Sequence, residues 1–330
     1  METNGSTKER CVLGVDLGGT KILSAVVAES GKIVARAKKK TRPEKPAEDI
    51  LARIAACCHE AVEAAGMTLE EIAGIGVGSP GPLDPDKGCV IETPNLNLRG
   101  APIAPYLSKE LNIPAFLDND VNVGTLGEFV YGAGKGRSDI IGIFMGTGIG
   151  GGVIINGRLL HGFSKNAGEL GHMKLVAGGA VCGCGQRGCL EAYASKTAMI
   201  KRFKRAVKKK KPTVLTTLIG NDWDKLTSKV FLQAIEAKDE LVVSTIDRAA
   251  KYTGVAVGSL LNILSPEMVI IGGGLVEALG EKVLDRIREF AKKNCFPIVF
   301  EGVEIVPAAL GDDAGILGAA ALAWSRLNSR

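Results

Sequence analysis

His172, Cys182, Cys184 and Cys189 fall within eighteen residues, in the stretch GELGHMKLVAGGAVCGCGQRGCLEA. One imidazole and three thiols at this density suit a tetrahedral zinc ion closed by four protein ligands. The neighbouring glycines Gly183, Gly185 and Gly188 let the backbone turn tightly around one ion. Glu169 precedes the histidine by three residues and Glu191 follows the last cysteine by two. A zinc knot here would hold two carboxylates and an imidazole in a small volume, which a polyhydroxylated neutral ligand requires. A purely structural staple is the alternative. A hydrolytic zinc is disfavoured, since four protein ligands leave no position for water.

Three glycine turns offer a different chemistry. Asp16-Leu17-Gly18-Gly19-Thr20-Lys21 follows a β-branched run, so its backbone N–H groups and the Thr20 hydroxyl can cradle phosphate oxygens. Asp16 is placed to hold Mg²⁺ through water. The turn lacks the spacing of a Walker P-loop. Gly146-Thr147-Gly148 opens a second such turn, and Gly272-Gly273-Gly274 a third that would let backbone approach an adenine or ribose. Together they predict a nucleotide held between two lobes. Asn119-Asp120-Val121-Asn122 stands at a strand-to-helix junction. Asp120 there is either a helix N-cap or a general base that takes a proton from a hydroxyl, with Asn119 bonded to a neighbouring hydroxyl.

The elements that must position these residues follow from hydrophobic periodicity. Three strands open the chain through KIVARAKKK, and a helix runs from Ala47 to Ala65. Strands follow at Ile72–Gly78 and Ala115–Leu117, separated by a helix at Ala104–Leu111, and then a helix at Asn122–Tyr131. IIGIFMGTGIGGGVIINGRLL repeats the opening plan of strand, glycine turn and strand, which predicts two related lobes. Residues 191–264 read as mostly helical. A buried strand at Met268–Ile271, one helix running to Lys293, a strand at Glu304–Pro307 and a final helix at Gly315–Leu327 complete the reading, with that last helix packing back on the first lobe.

The chain has 330 residues, enough for two lobes with substantial cores, and its 46% hydrophobic and 23% charged residues are ordinary for an enzyme. Aromatics at 5% offer no stacking platform for single-stranded nucleic acid. The net charge of +5 is concentrated in KRFKRAVKKKK, residues 201–211, which reads as a solvated helix face or loop because no nucleic-acid recognition motif accompanies it. METNGSTKER is polar, without the apolar core of a signal peptide, and no apolar run is long enough to span a membrane. Cys11, Cys57, Cys58, Cys89 and Cys295 are scattered and read as packing residues.

DLGGTK, LDNDVN, GTGIGGG, AGELGH and CGCGQRGCLE, in this order and spacing, resemble the ROK family (repressor, open reading frame, kinase), and within it the bacterial glucokinases. The resemblance implies an α/β, two-lobed, actin-like (ribonuclease-H-like) fold with duplicated βββαβαβα lobes. Residues 1–117 plus 311–330 would form the small lobe, and residues 118–310 the large lobe with the zinc site. It implies ATP- and Mg²⁺-dependent transfer of a phosphoryl group to the 6-hydroxyl of glucose. N-acetylmannosamine, N-acetylglucosamine, fructose and allose are alternative acceptors, and polyphosphate an alternative donor. Asp120 would be the base, with Gly81, Asn95, Asn119, Glu169, His172 and Glu191 as sugar ligands. Asp16, Gly18, Gly19, Thr20, Lys21, Thr147, Gly148, Gly273 and Gly274 would surround ATP and Mg²⁺, and His172, Cys182, Cys184 and Cys189 would bind zinc. The segment Phe163-Ser164-Lys165-Asn166-Ala167 departs from the glycine or alanine pair that relatives carry before the AGE triplet. The resemblance further implies a cytoplasmic homodimer or homotetramer acting on a small hexose, with neither nucleic acid nor membrane as partner. The family also contains sugar-responsive transcriptional regulators, which carry an additional N-terminal DNA-binding domain.

Overall fold

A computed structural model describes residues 9–93, 95–220 and 222–329. Most of the polar segment METNGSTKER, residues 1–8, thus lies outside the described residues. Among the described residues two compact units form, one from those up to residue 135 with 161–167 and those from 312 on, the other from those in 136–160 and 168–311.

In the first unit, β1 (Cys11–Leu17), β2 (Lys21–Ala28) and β3 (Ile33–Lys40) make the expected antiparallel meander. β4 (Ile72–Ser79) pairs parallel with β1. A small hairpin of β5 (Leu83–Asp84) and β6 (Cys89–Val90) follows, and then β7 (Ala115–Asn119), which pairs parallel with β4. The sheet order is β3-β2-β1-β4-β7. Its core joins β1 residues Leu13, Val15 and Leu17 to Ile50 and Ile54 of the helix Ala47–Ala64 and to Leu107 of the helix Ile103–Leu111. Cys11, Cys57 and Cys58 are buried, as expected of packing residues, while Cys89 and Cys295 are only half-buried.

The second unit repeats the plan. β8 (Ile140–Met145), β9 (Ile149–Ile155) and β10 (Arg158–Leu159) form an antiparallel meander, and β11 (Met268–Gly272) and β12 (Glu304–Pro307) extend it in parallel. The order β10-β9-β8-β11-β12 matches that of the first sheet position for position. This is the duplicated α/β architecture of the actin-like fold. Between β10 and β11 lie the histidine-cysteine segment and a run of helices ending in Glu240–Leu264. The one helix expected up to Lys293 is two, Gly274–Leu279 and Glu281–Lys293, because Gly280 adopts a φ of 56° that breaks the helix.

The unit boundaries fall elsewhere than the division of 1–117 with 311–330 against 118–310. The helix Asp120–Tyr131 packs with the first unit because Gly127 and Gly318 bring it against the C-terminal helix Ala314–Asn328. That last helix does pack on the first sheet. A Cβ at Gly76 on β4 would lie 1.8 Å from the Ala319 carbonyl oxygen, so only glycine allows the approach. Among the described residues, no helix is long and apolar enough to cross a membrane.

Candidate active site

Strand register brings the first-unit candidates together. Asp16 on β1 pairs with Gly78 on β4, and Gly78 with Asp118 on β7, so the three lie in one row at the carboxyl ends of parallel strands. In α/β sheets this edge is where ligands bind. Asn119 ends β7 and caps the next helix: its side-chain oxygen accepts from the backbone N–H of Val121 at 2.9 Å and of Asn122 at 3.2 Å. The N-cap role considered for Asp120 thus belongs to Asn119, and Asp120 is the first helical residue, half-buried. With its oxygen engaged, Asn119 keeps its amide nitrogen as a donor, next to Gly81. Asn95 is exposed in the loop beyond Thr93, and among the described residues no hydrogen bond joins it to Gly81, Asn119 or Asp120.

Behind this pair lies a network that the sequence reading missed. Asp118 is fully buried and accepts from the Asn119 backbone N–H at 2.8 Å and from Asn122 Nδ2 at 3.0 Å. His161 Nε2 stands 2.6 Å from its second carboxylate oxygen. Buried carboxylates require such partners. Asp118 was visible within LDNDVN, but nothing local marks His161, which arrives from a distant segment. That segment continues into the unusual residues 163–167. Lys165 pairs with Asp86 at 2.8 Å, and the Leu83 backbone N–H donates to Asn166 Oδ1 at 3.1 Å, so both residues pin the loop to the first unit.

The turn from Asp16 to Lys21 is tight, with the Gly18 N–H donating to the Lys21 carbonyl at 3.0 Å. Thr41, fully buried, donates its hydroxyl to the Gly18 carbonyl at 2.7 Å and braces the turn from below. Gly19 and Thr20 sit at the tip, Thr20 exposed. Burial pushes the Asp16 carboxyl above the usual range, against the opposing pull of Lys21. A carboxylate in that position gains from a nearby cation.

In the second unit the equivalent turn closes with the Gly146 N–H on the Gly148 carbonyl at 3.0 Å. Gly146 and Thr147 line a cavity of about 250 Å³ together with Gly274 and Lys196. Two of the three expected glycine turns therefore meet around one pocket. Gly273, with a φ of 102°, sits where any Cβ would strike the Met145 carbonyl.

The histidine-cysteine segment is gathered as expected. The ligand atoms of His172, Cys182, Cys184 and Cys189 all lie within 4.8 Å of one another. Tetrahedral zinc with Zn–S bonds of about 2.3 Å needs sulfurs about 3.8 Å apart. Cys184 and Cys189 Sγ are separated by 3.8 Å, and Cys182 Sγ lies 3.7 Å from His172 Nδ1. The donor set therefore fits the ion. Nδ1 faces the sulfurs, and Nε2 turns toward Glu169, 4.0 Å away. Lys174 Nζ, 2.9 Å from Cys189 Sγ, would offset the negative charge that three thiolates leave on a zinc. Gly188, at a φ of 83°, lets its carbonyl accept from Leu175 N–H at 2.8 Å and closes the loop.

Glu191 connects this segment to the glycine turn. One carboxylate oxygen accepts from the Ile149 N–H at 3.1 Å, and the other is 3.2 Å from Cys182 Sγ. A Cβ on Gly148 would come within 2.5 Å of the same carboxylate.

Comparison with known proteins bears on what this geometry serves. The ROK family profile matches residues 12–326. The chain is 36% identical over 325 residues to a glucokinase of Halalkalibacterium halodurans, covering 97% of each chain. It is 38% identical over 317 residues to a glucokinase of Thermotoga maritima, covering 96% of this chain and 98% of that one. Among solved structures, a ROK family glucokinase from Streptomyces griseus, in complex with glucose and AMPPNP, aligns with a TM-score of 0.80 at 34% identity. That match covers 96% of this chain and 99% of the other.

Proposed function

This chain belongs to the ROK family, and from that premise we infer that it is an ATP-dependent sugar kinase acting on glucose. Glucose names the acceptor because the relatives similar over nearly the full length are glucokinases. The observation that carries the mechanism is the division of labour at the end of β7. Asn119 is the helix N-cap, and Asp120, whose Oδ1 also accepts from the Val121 N–H at 3.0 Å, is the carboxylate that opens the helix and is assigned the role of base.

In this reading Asp120 accepts the proton of the glucose 6-hydroxyl as that oxygen attacks the γ-phosphorus and the bond to the bridging oxygen of ADP breaks. Proton acceptance of this kind is worth about 10²–10⁴-fold. The rest of the acceleration comes from positioning and charge. Asn119 donates its amide N–H to a neighbouring hydroxyl, and Gly81 leaves space beside it. Asn95, Glu169, His172 and Glu191 are assigned to the remaining hydroxyls. The backbone N–H groups of the Gly18–Lys21 and Thr147–Gly148 turns are assigned to the phosphates, and the Gly273–Gly274 backbone to the nucleoside.

Two metals belong to the reading. Asp16 would hold Mg²⁺ through water, and that ion supplies charge neutralisation at the phosphates. His172, Cys182, Cys184 and Cys189 would hold a closed, non-catalytic zinc, which fixes the His172 tautomer so that Nε2 is available to a hydroxyl. A cytoplasmic homodimer or homotetramer completes the proposal, and light scattering of the purified chain tests its oligomeric part.

The test is ADP release across a panel of glucose, fructose, allose, N-acetylglucosamine and N-acetylmannosamine, with ATP and polyphosphate as donors. Glucose with ATP is expected to give the highest kcat/KM. Asp120→Asn should lose about 10²-fold or more in kcat while still binding glucose. Absence of turnover on every hexose overturns the reading, and near-normal turnover of Asp120→Asn overturns the base assignment.

A further inference from the structure

The basic segment 201–211 is more than a solvated face. The helix Lys196–Lys208 presents Lys201, Arg202, Arg205 and Lys208 to a cavity of about 950 Å³ within the second unit. Lys209 and Lys211 from the following turn, Arg187 from the histidine-cysteine loop and Arg248 from the helix Glu240–Leu264 complete its cationic lining, which includes no carboxylate. Among the described residues, none of these eight cations is engaged in an ion pair.

Two of the guanidinium groups are held in advance. Arg202 Nε donates to Thr245 Oγ1 at 2.9 Å. Arg248 lies over the rings of Tyr193 and Tyr252, 5.4 and 5.2 Å from their centroids, and those rings are themselves stacked. Fixing a guanidinium beforehand lowers the entropic cost of binding, and its planar fork matches phosphate oxygens. Mutual repulsion of eight cations around a concave wall favours an anion of several charges.

We propose that this cavity is a binding site for a small anion carrying two or three linked or neighbouring phosphates, separate from the phosphoryl donor. The concave shape and the burial of Tyr193 against Arg248 disfavour a nucleic acid, which needs an open track with rings free to stack. The cavity also shares a wall with the hexose-binding segment. The Ala180 N–H donates to Tyr193 Oη at 2.7 Å, Arg187 lies between two zinc-type ligands, and Tyr193 is two residues beyond Glu191. Occupancy is therefore coupled to glucose affinity, a second half of the proposal that rests on the kinase reading.

The experiment is calorimetric titration of inorganic tripolyphosphate into the chain saturated with glucose and AMPPNP, which fill the catalytic positions. One site is expected. Arg202→Gln/Arg205→Gln should bind at least about ten-fold more weakly, while Lys229→Gln/Lys282→Gln, with the same charge loss elsewhere, should bind as the parent does. Circular dichroism verifies that each variant is folded. Absence of binding, or equal weakening in both variants, overturns the site. A single-stranded oligonucleotide that competes with the same dependence on Arg202 and Arg205 overturns the small-anion assignment. For the coupling, tripolyphosphate should shift the glucose Kd of the parent and not that of Arg202→Gln/Arg205→Gln. An unshifted Kd overturns the coupling, whereas failure to phosphorylate glucose overturns the kinase reading and leaves the anion titration standing.

Discussion

His161 Nε2 stands 2.6 Å from a carboxylate oxygen of Asp118, a residue with no solvent exposure that immediately precedes Asn119 and Asp120. The pair anchors the end of β7, the strand that leads directly into Asp120. His161→Ala is expected to lower kcat about ten-fold, equivalent to about 1.4 kcal/mol of barrier, with a smaller change in glucose KM. His161→Gln, which can donate to the same oxygen, should recover part of that loss. Equal losses in both variants would show that the imidazole does more than orient Asp118. Asp118→Asn should cost about 1–3 kcal/mol of stability, because the amide cannot accept from all three present donors. Denaturant titration reads this directly.

Glu191 sits between the glycine turn and the histidine-cysteine loop. Glu191→Gln preserves its volume but removes its charge, and glucose KM should rise about ten-fold while ATP KM changes little. Gly148→Ala pushes a methyl group into the same carboxylate, so both KM values should rise. Steady-state kinetics with each substrate varied separates the two outcomes.

The purified chain should contain one zinc per polypeptide by elemental analysis. Cys184→Ser is expected to lose the metal and, with it, glucose affinity by about ten-fold or more, since loss of orientation at a ligand such as His172 has effects of that order. Metal loss with intact glucose affinity would reduce the ion to a remote staple.

Burial raises the Asp16 pKa in the folded chain above its unfolded value. The folded state then keeps the proton to higher pH, so the penalty of this group is absent in acid, grows as pH rises from the usual Asp range to the raised folded pKa, and is constant above it. Asp16→Asn should therefore melt about 1–4 °C higher than the parent at neutral pH without Mg·ATP, with the difference vanishing in acid. The same variant should lose Mg²⁺-dependent turnover. Thermal melts across pH, beside the kinase assay, check both signs.

What the sequence made legible was mostly local. The glycine turns and the cysteine cluster are contiguous, so spacing alone was enough to place them, and alternating strands fixed both meanders. Asn119 and Asp120 are both good capping residues, and only backbone geometry decides which of them caps. The Asp118–His161 contact joins residues 43 apart, with no pattern to reveal it. Gly280 lies within the run that periodicity assigns to one helix, and its positive φ cannot be read from periodicity. Membership of the helix Asp120–Tyr131 in the first unit depends on Gly127 meeting Gly318, a contact between distant parts of the chain.

Gly14 and Gly76 are the seats on which the C-terminal helix rests, and this sets a timetable for synthesis. β1 is among the first described elements to leave the ribosome, yet the residues that cover it, 314–328, are among the last. The second unit, completed by residue 311, can form while one face of the first sheet is still bare. A nascent chain that still lacks residues 314–328 would thus expose an apolar face of the first sheet, the kind of species chaperones capture. The half that is begun first is finished last.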